Sequence, residues 1–332
     1  EGLLPEEIAS VFRALQDQAP PVAMGEISTV LRAELGERFD DIASLDADPC
    51  AAASIGQVHR ARLQDGREVV FKVQYPGIDH TIASDMKSLK GALKLLFSWF
   101  TRADTDALWA ELRDRMLEEL NYELEADHLR RMRALWAAEP RVRIPAVVDE
   151  LSTRRVLCME SLTGYSGDEA CAETVPQDLR DQWGQGLFRW MIDGLLIHRL
   201  MHADPNLANF SFRPDGGINV YDFGCVKEVP ESLAIGYARL ARALLDSRYD
   251  QLPGLLRRIG IQKADGDTIS PELVKSFARN IRNVVRKRPP YRFGENTDLY
   301  DRSFALGVEY WGESGEWIFP ADIVFIERTF AG

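Results

Sequence analysis

The sequence predicts an α+β fold in two lobes with a cleft between them. Three observations carry this expectation: strand patterns cluster early, helical periodicity dominates late, and one tight hairpin interrupts the helical half. The first forty residues read as helices. Pro5-Glu6-Glu7 opens a run with Ile8, Val11, Phe12 and Leu15 at helical spacing, and Pro20-Pro21 ends it. A second helix sets Ile27, Val30, Leu31 and Leu35 on one face. The period then changes. Residues 57–63 and 68–74 read as strands joined by the turn Gln64-Asp65-Gly66-Arg67, and Pro76-Gly77 closes the hairpin.

Residues 79–136 return to helical character, with an amphipathic stretch from about Asp106 to Trp136. Residues 144–150 and 154–160 are strand candidates, and Gly164 breaks the chain after them. A helix is expected over 177–200, with Leu179, Trp183, Leu187, Trp190 and Met191 near one face. The turn Asp215-Gly216-Gly217 separates short strands at 210–213 and 218–221, and everything beyond Ser232 reads as helical. The expected division is an N-terminal helical extension (1–44), a first lobe with a helical insert (45–163) and a mostly helical second lobe (164–332).

Composition narrows the function classes. The 332 residues carry 40 Lys+Arg and 52 Asp+Glu, a formal net charge of −12, with 45% apolar and 28% charged residues. That balance excludes a disordered chain, and the acidic excess argues against a protein that coats nucleic acid or adsorbs to anionic lipid over its whole surface. Cys50, Cys158, Cys171 and Cys225 lie far apart with no CxxC pair, which fits a reducing compartment. The best apolar run, Leu93–Phe100, is interrupted by Lys94 and is too short to span a membrane. The chain opens at Glu1 with neither a basic leader nor a cleavage-site pattern, so no signal peptide is expected. The expected location is cytoplasmic, with peripheral contact at the inner membrane left open.

Four features that carry chemistry occur in order. Asp48–Gln57 (DPCAAASIGQ) is a small-residue loop leading into the first hairpin strand, and Val69-Val70-Phe71-Lys72 places a lysine in the second. His202–Asn209 (HADPNLAN) follows the long helix, and Tyr221-Asp222-Phe223-Gly224 follows the late hairpin. In order and spacing they resemble the phosphate loop, strand lysine, catalytic loop and DFG of protein kinases. A triphosphate needs a lysine on its oxygens and divalent ions bridging the others; Asn209 and Asp222 are hard oxygen ligands suited to Mg²⁺. Asp204 stands where a carboxylate would orient or deprotonate an attacking hydroxyl or water. Two departures matter. Ala51, Ala52, Ala53 and Ser54 stand where glycines are expected, which stiffens the loop. Only Cys225–Glu231 separates Gly224 from the next helical run, and no Ala-Pro-Glu follows, which argues against a peptide-docking kinase.

Ala51–Gly77, with its Ala-rich AAASIGQVHRA, together with HADP…N and DFG, resembles the UbiB-type atypical kinase-like family linked to coenzyme Q biosynthesis (the AarF/UbiB proteins). The resemblance extends to the Leu4-Pro5 to Pro20-Pro21 lead-in and to Arg328-Thr329. It implies a protein-kinase-like bilobal fold with extra N-terminal helices, and Mg²⁺-dependent ATP binding and hydrolysis that is lipid-linked, with little protein phosphorylation. It also implies a lipid or quinone-precursor ligand and no nucleic-acid partner. Carried over, Lys72 is the nucleotide lysine, Asp204 the catalytic acid, and Asn209 and Asp222 the metal ligands. Glu125 pairs with Lys72. Ala51, Ala52, Ala53, Ser54 and Glu160 complete the expected cofactor-binding set. Glu119 matches the first residue of the family's E-x-D motif, whose aspartate is Asn121 here. The family's K-x-G-Q motif is not found ahead of Leu4-Pro5, and Asn206-Leu207-Ala208 replaces its usual His-Pro-Gly.

The alternatives within this reading are a small-molecule phosphotransferase and a nucleotide-sensing module with little turnover. His198, His202 and Asp204 have metal-triad spacing, but Arg199 stands where a zincin needs glutamate, so His202 is read as a brace for the catalytic loop. Arg279, Arg282, Arg286, Lys287, Arg288 and Arg292 read either as a helix C-terminus or as an anionic-ligand site, and Phe97, Trp99 and Phe100 as a buried face or a lipid contact.

Overall fold

In this computed structural model the described residues are 22–53, 55–82, 119–204, 206–263, 266, 268–285, 317–318, 320, 323 and 326. The chain divides into two compact units: residues up to Trp183 with Leu207–Gly224, and Gly184–Asn206 with Cys225 onward. Residues 164–183 and Leu207–Gly224, which the sequence division places in its last part, thus belong to the first unit.

The first unit is built on one antiparallel sheet. Helix α1 (Met24–Leu35) is followed by β1 (Ile42–Leu45), β2 (Ala51–Ala53), β3 (Gly56–Leu63) and β4 (Glu68–Gln74). The sheet order is β1-β3-β4-β6, with β6 at Val156–Glu160 and β2 paired on β3. The β3–β4 hairpin turns at Gly66, whose φ of +89° suits glycine, and Asp65 accepts the Arg67 backbone N–H at 2.9 Å. Strand periodicity sorts β4 by face. Val69, Phe71 and Val73 pack with Ile27, Leu31 and Leu35 of α1 and with Val156 and Cys158 of β6. Lys72, on the alternate face, is buried as well.

Within the small-residue loop expected at 48–57, Ala51–Ala53 form a strand, because their backbone pairs with β3 from Ala51↔Val58 to Ala53↔Gly56; Ser54 lies outside the described residues. Gly56 is required there, since a Cβ would stand 2.2 Å from the Val73 carbonyl oxygen. Next to it the buried Gln57 amide grips one backbone unit from both sides. Its Oε1 accepts the Val22 N–H at 3.0 Å, and its Nε2 donates to the Val22 carbonyl at 3.1 Å. His59 completes the set: its Nδ1 donates to the Asp46 carbonyl at 2.9 Å, so its Nε2 accepts from Gln57 at 2.8 Å.

Helix α2 (Tyr122–Leu135) begins at an N-cap, Asn121, whose side chain accepts the Glu123 N–H. The strand expected over 144–150 is instead β5 (Val142–Arg143), an isolated Val147–Met159 bridge and a 3₁₀ turn at Asp149–Leu151, because parallel pairing with β9 captures the chain two residues early. A three-stranded sheet β5-β9-β8 holds β8 (Phe210–Phe212) and β9 (Ile218–Val220). Helix α3 (Gly167–Cys171) carries a capping box from Ser166 and Glu169.

Helix α4 (Gln177–Asp193) runs from the first unit into the second. The helix expected to reach residue 200 ends early. A π turn at Gly194–His198 and a left-handed Arg199 (φ 54°) turn the chain into β7 (Leu200–His202), which pairs with β10 (Val226–Glu228). The rest of the second unit is α5 (Glu231–Leu245), α6 (Leu252–Arg258) and α7 (Pro271–Val285) around a core of Leu195, Leu233, Leu252, Ile269, Leu273 and Ile323. A short pair of strands, β11 (Gln262–Lys263) and β12 (Trp317–Ile318), interrupts the region expected to be wholly helical. No helix among the described residues is long and apolar enough to cross a membrane.

Candidate functional site

The first unit gathers its buried charge around Lys72. The lysine sits mid-strand in β4, opposite Val58 of β3 and Leu157 of β6, so its side chain has one direction to take. Its ammonium donates to Glu125 Oε1 at 2.8 Å and Oε2 at 2.9 Å, and to Asp222 Oδ2 at 2.8 Å. The side chains of Lys72, Glu125 and Asp222 are 8%, 4% and 37% exposed. The cluster is thus one cation against two carboxylates, closed on the Glu125 side and open on the Asp222 side.

Helix α2 positions more than Glu125. Its first residue, Tyr122, lies three before Glu125 and so on the same face, and it sets its ring 5.1 Å from the Lys72 ammonium. The Tyr122 hydroxyl is buried without a hydrogen-bond partner, and burial raises its pKa. His128, three residues after Glu125, donates through Nδ1 to the Phe223 carbonyl at 3.0 Å, while Glu125 Oε1 accepts the Phe223 N–H at 3.4 Å. Phe223 is fully buried, and Asp222 Oδ1 accepts the Gly224 N–H at 2.9 Å. Residues 222–224 are therefore held by one helix face and their own turn.

Electrostatics follow from burial and imbalance. For Glu125, burial raises the carboxyl pKa; Lys72 opposes that and Asp222 adds to it, leaving it at about 7. For Lys72, burial pulls the pKa down, but Asp222, Glu125 and Tyr122 outweigh it and hold the ammonium well above the ordinary lysine value.

The remaining sequence-derived residues fall into three groups. Asn209 ends a 3₁₀ turn (Leu207–Asn209), and its carbonyl accepts the Tyr221 N–H at 3.0 Å, so Asn209 and Asp222 flank the open end of the β8–β9 hairpin. Ala51–Ala53 line the exposed edge of β2, and Glu160, at the end of β6 opposite Val69, pairs with Arg143 and Arg133 rather than facing Lys72. Asp204 belongs to the second unit, just after β7. There its N–H donates to His202 Nδ1 at 3.4 Å, as the brace reading expected, and the Ala203 N–H donates to the Cys225 carbonyl at 2.9 Å. Glu119 is exposed, and the Asn121 side chain is the helix cap. Among the described residues no group of His, Cys, Asp and Glu is arranged to hold a metal by itself, so the His198–His202–Asp204 triad is not formed. Phe97, Trp99, Phe100 and most of the 279–292 basic run lie outside the described residues; Arg279 is exposed on α7.

Tyr122 and His128 are the partners that sequence reading missed. Their signal is the i−3 and i+3 spacing from Glu125 on one helix.

The rat mitochondrial atypical kinase COQ8B is 33% identical over 253 residues, covering 76% of this chain and 48% of that protein. The Caenorhabditis elegans mitochondrial atypical kinase coq-8 is 30% identical over 302 residues, covering 89% and 40%. The chain thus spans about half the length of the curated relatives it matches. Among solved structures, Rv3197 of Mycobacterium tuberculosis in complex with erythromycin aligns over 99% of this chain and 82% of its own, with a TM-score of 0.77 and 28% identity. The family model for the ABC1 atypical kinase-like domain matches residues 14–254, with Lys72, Glu125, Asp204, Asn209 and Asp222 all inside, and the chain belongs to that kinase-like family.

Proposed function

We propose that the chain binds ATP with Mg²⁺ and either hydrolyses it or passes its terminal phosphoryl group to a non-peptide acceptor, in ubiquinone or lipid metabolism. The observation that carries this reading is the Lys72–Glu125–Asp222 cluster, in which a buried ammonium is fixed by one enclosed and one accessible carboxylate. The residues fit the groups they would hold. Lys72 stays protonated and can move from Asp222 to phosphate oxygens while Glu125 keeps it in place. Asp222 and the Asn209 amide are oxygen donors of the kind Mg²⁺ takes. The bound ion would supply charge neutralisation on the phosphate oxygens. Asp204 is assigned to orient the attacking hydroxyl or water and accept its proton, on its spacing of five residues from Asn209.

A peptide acceptor is disfavoured. Strand β10 occupies Val226–Glu228 and α5 starts at Glu231, so no extended platform follows Gly224. The lipid or quinone-precursor ligand and peripheral membrane contact rest on the family resemblance alone.

The test is thermal. ATP with Mg²⁺ is expected to raise the melting temperature, because a ligand of the folded state alone stabilises by RT ln(1 + [L]/Kd). Asp222→Asn should abolish the Mg²⁺-dependent part, and an undiminished shift would remove Asp222 from the site. Counting ADP separates turnover from sensing, since an enzyme releases many equivalents per chain and a sensor about one at most. Casein offered with labelled ATP should stay essentially unlabelled.

A further inference from the structure

Helix α2 presents three residues at three-residue spacing to the Lys72 cluster and the segment beside it. Tyr122 and Glu125 meet the Lys72 ammonium, whereas His128 reaches a backbone carbonyl 95 residues further along the chain, that of Phe223. A carbonyl can only accept, so the His128 ring carries a proton on Nδ1 and donates it at 3.0 Å. The Phe223 N–H goes to Glu125 Oε1 at 3.4 Å, the longer of the two bonds, and that oxygen also receives Lys72 at 2.8 Å.

The Phe223 carbonyl and the Gly224 N–H belong to one peptide unit, which is rigid and planar. His128 holds its carbonyl end, and its N–H end donates to Asp222 Oδ1 at 2.9 Å. Turning that plane would swing the N–H away from the carboxylate, and a hydrogen bond weakens steeply once misaligned. Asp222 lies tight against this backbone, since a Cβ on Gly224 would stand 3.3 Å from the same Oδ1. The buried Phe223 ring fixes where the segment sits, but not the twist of the peptide unit that follows it. His128 supplies that constraint. Its bond also polarises the peptide, which strengthens the Gly224 N–H as a donor to a carboxylate.

The other Asp222 oxygen, Oδ2, accepts from Lys72 at 2.8 Å. Once the ammonium moves to phosphate oxygens, the Gly224 N–H is the one of these two contacts left to orient the carboxylate. Mg²⁺ demands near-ideal octahedral geometry and so tolerates a misdirected carboxylate poorly. We propose that His128 is a positioning residue for Asp222, acting through the Phe223–Gly224 peptide unit, and that it sets the affinity of the ATP site for Mg²⁺. This rests on the reading of Asp222 as a ligand of that ion.

Two variants test it. His128→Leu removes the donor at similar size, and His128→Asn keeps one, because the amide nitrogen stands the same number of bonds from the backbone as Nδ1. In the nucleotide-free chain, amide exchange at Gly224 should speed up about fivefold in His128→Leu and keep the wild-type rate in His128→Asn. With ATP present, the Mg²⁺ concentration that gives half the melting shift should rise about tenfold in His128→Leu and return to wild type in His128→Asn. ATP binding in EDTA should be unchanged in both, because Lys72 and Glu125 are untouched, whereas general damage to the site would weaken it too. A wild-type chain with no Mg²⁺-dependent shift would overturn the nucleotide reading and this proposal together. A wild-type Mg²⁺ midpoint or Gly224 exchange rate in His128→Leu, an equal loss in EDTA, or no rescue by His128→Asn would overturn this proposal alone.

Discussion

Two clusters of the first unit have the same stoichiometry and opposite consequences. Arg67 donates to Asp65 at 2.7 Å and to Glu150 at 2.9 Å, as Lys72 donates to Glu125 and Asp222. Each is one cation between two carboxylates. Around Arg67 the three side chains are 51%, 51% and 53% exposed, so water screens the extra negative charge. Around Lys72 two of the three are almost sealed, and burial first, with the Asp222 charge adding to it against Lys72, raises the Glu125 pKa to about 7. The buried cluster therefore favours a second positive charge and the exposed one does not. That charge would arrive on the Asp222 side, where the cluster is open, as the proposed Mg²⁺ would.

Removing the cation breaks the comparison most sharply. Lys72→Met leaves Glu125 buried beside Asp222 without the ammonium they share, a change that typically costs about 3–5 kcal/mol. Glu125 can relieve part of that by taking up a proton, so the loss in urea unfolding should be larger at pH 7.5 than at pH 5. Adding Glu125→Gln should restore much of the loss, because the amide needs no counter-charge. A loss as small as a surface pair's would mean that the cluster is far wetter than its burial indicates.

The second test is of pH. Glu125 has its folded pKa raised from 4.5 to about 7, so between those values the folded chain holds a proton that the unfolded chain releases. The stability this contributes is present below about pH 4.5 and is lost as pH rises through 7. Lys72 adds no slope there, since its pKa lies well above 10.5. Glu125→Gln does not titrate, so its stability relative to wild type should climb between pH 5 and pH 7.5. A relative stability that falls over that range would mean that Lys72 dominates and holds the Glu125 carboxylate charged.

Much of the first unit was legible because local and tertiary signals agree there. The Gln57–Gln74 hairpin shows both strand alternation and a turn glycine, and Lys72 stands out as the one charge within the apolar run Val69–Val73. Glu125 was separable from Glu119 because six residues put them on different helix faces. What was missed are places where pairing overrode local preference. Ala51–Ala53 have weak strand propensity and became β2 through the register of β3. Leu200–His202 continues a helical pattern, yet β10 draws it into a strand after the left-handed Arg199. The Gln57 grip on Val22 spans 35 residues and has no periodicity to reveal it.

The smallest expected effect completes the comparison. Arg67→Met removes two short hydrogen bonds and one cation facing two carboxylates, the same count as Lys72→Met. Both carboxylates have alternatives in place: water reaches each, and Asp65 Oδ1 keeps the Arg67 backbone N–H at 2.9 Å, which the substitution leaves intact. The turn therefore stays closed, and neither charge is stranded. Thermal melting should shift by no more than about 2 °C, and raising the salt should shrink that shift further because the lost attraction was already screened. A shift rivalling that of Lys72→Met, or one insensitive to salt, would show that exposure is not what separates the two clusters.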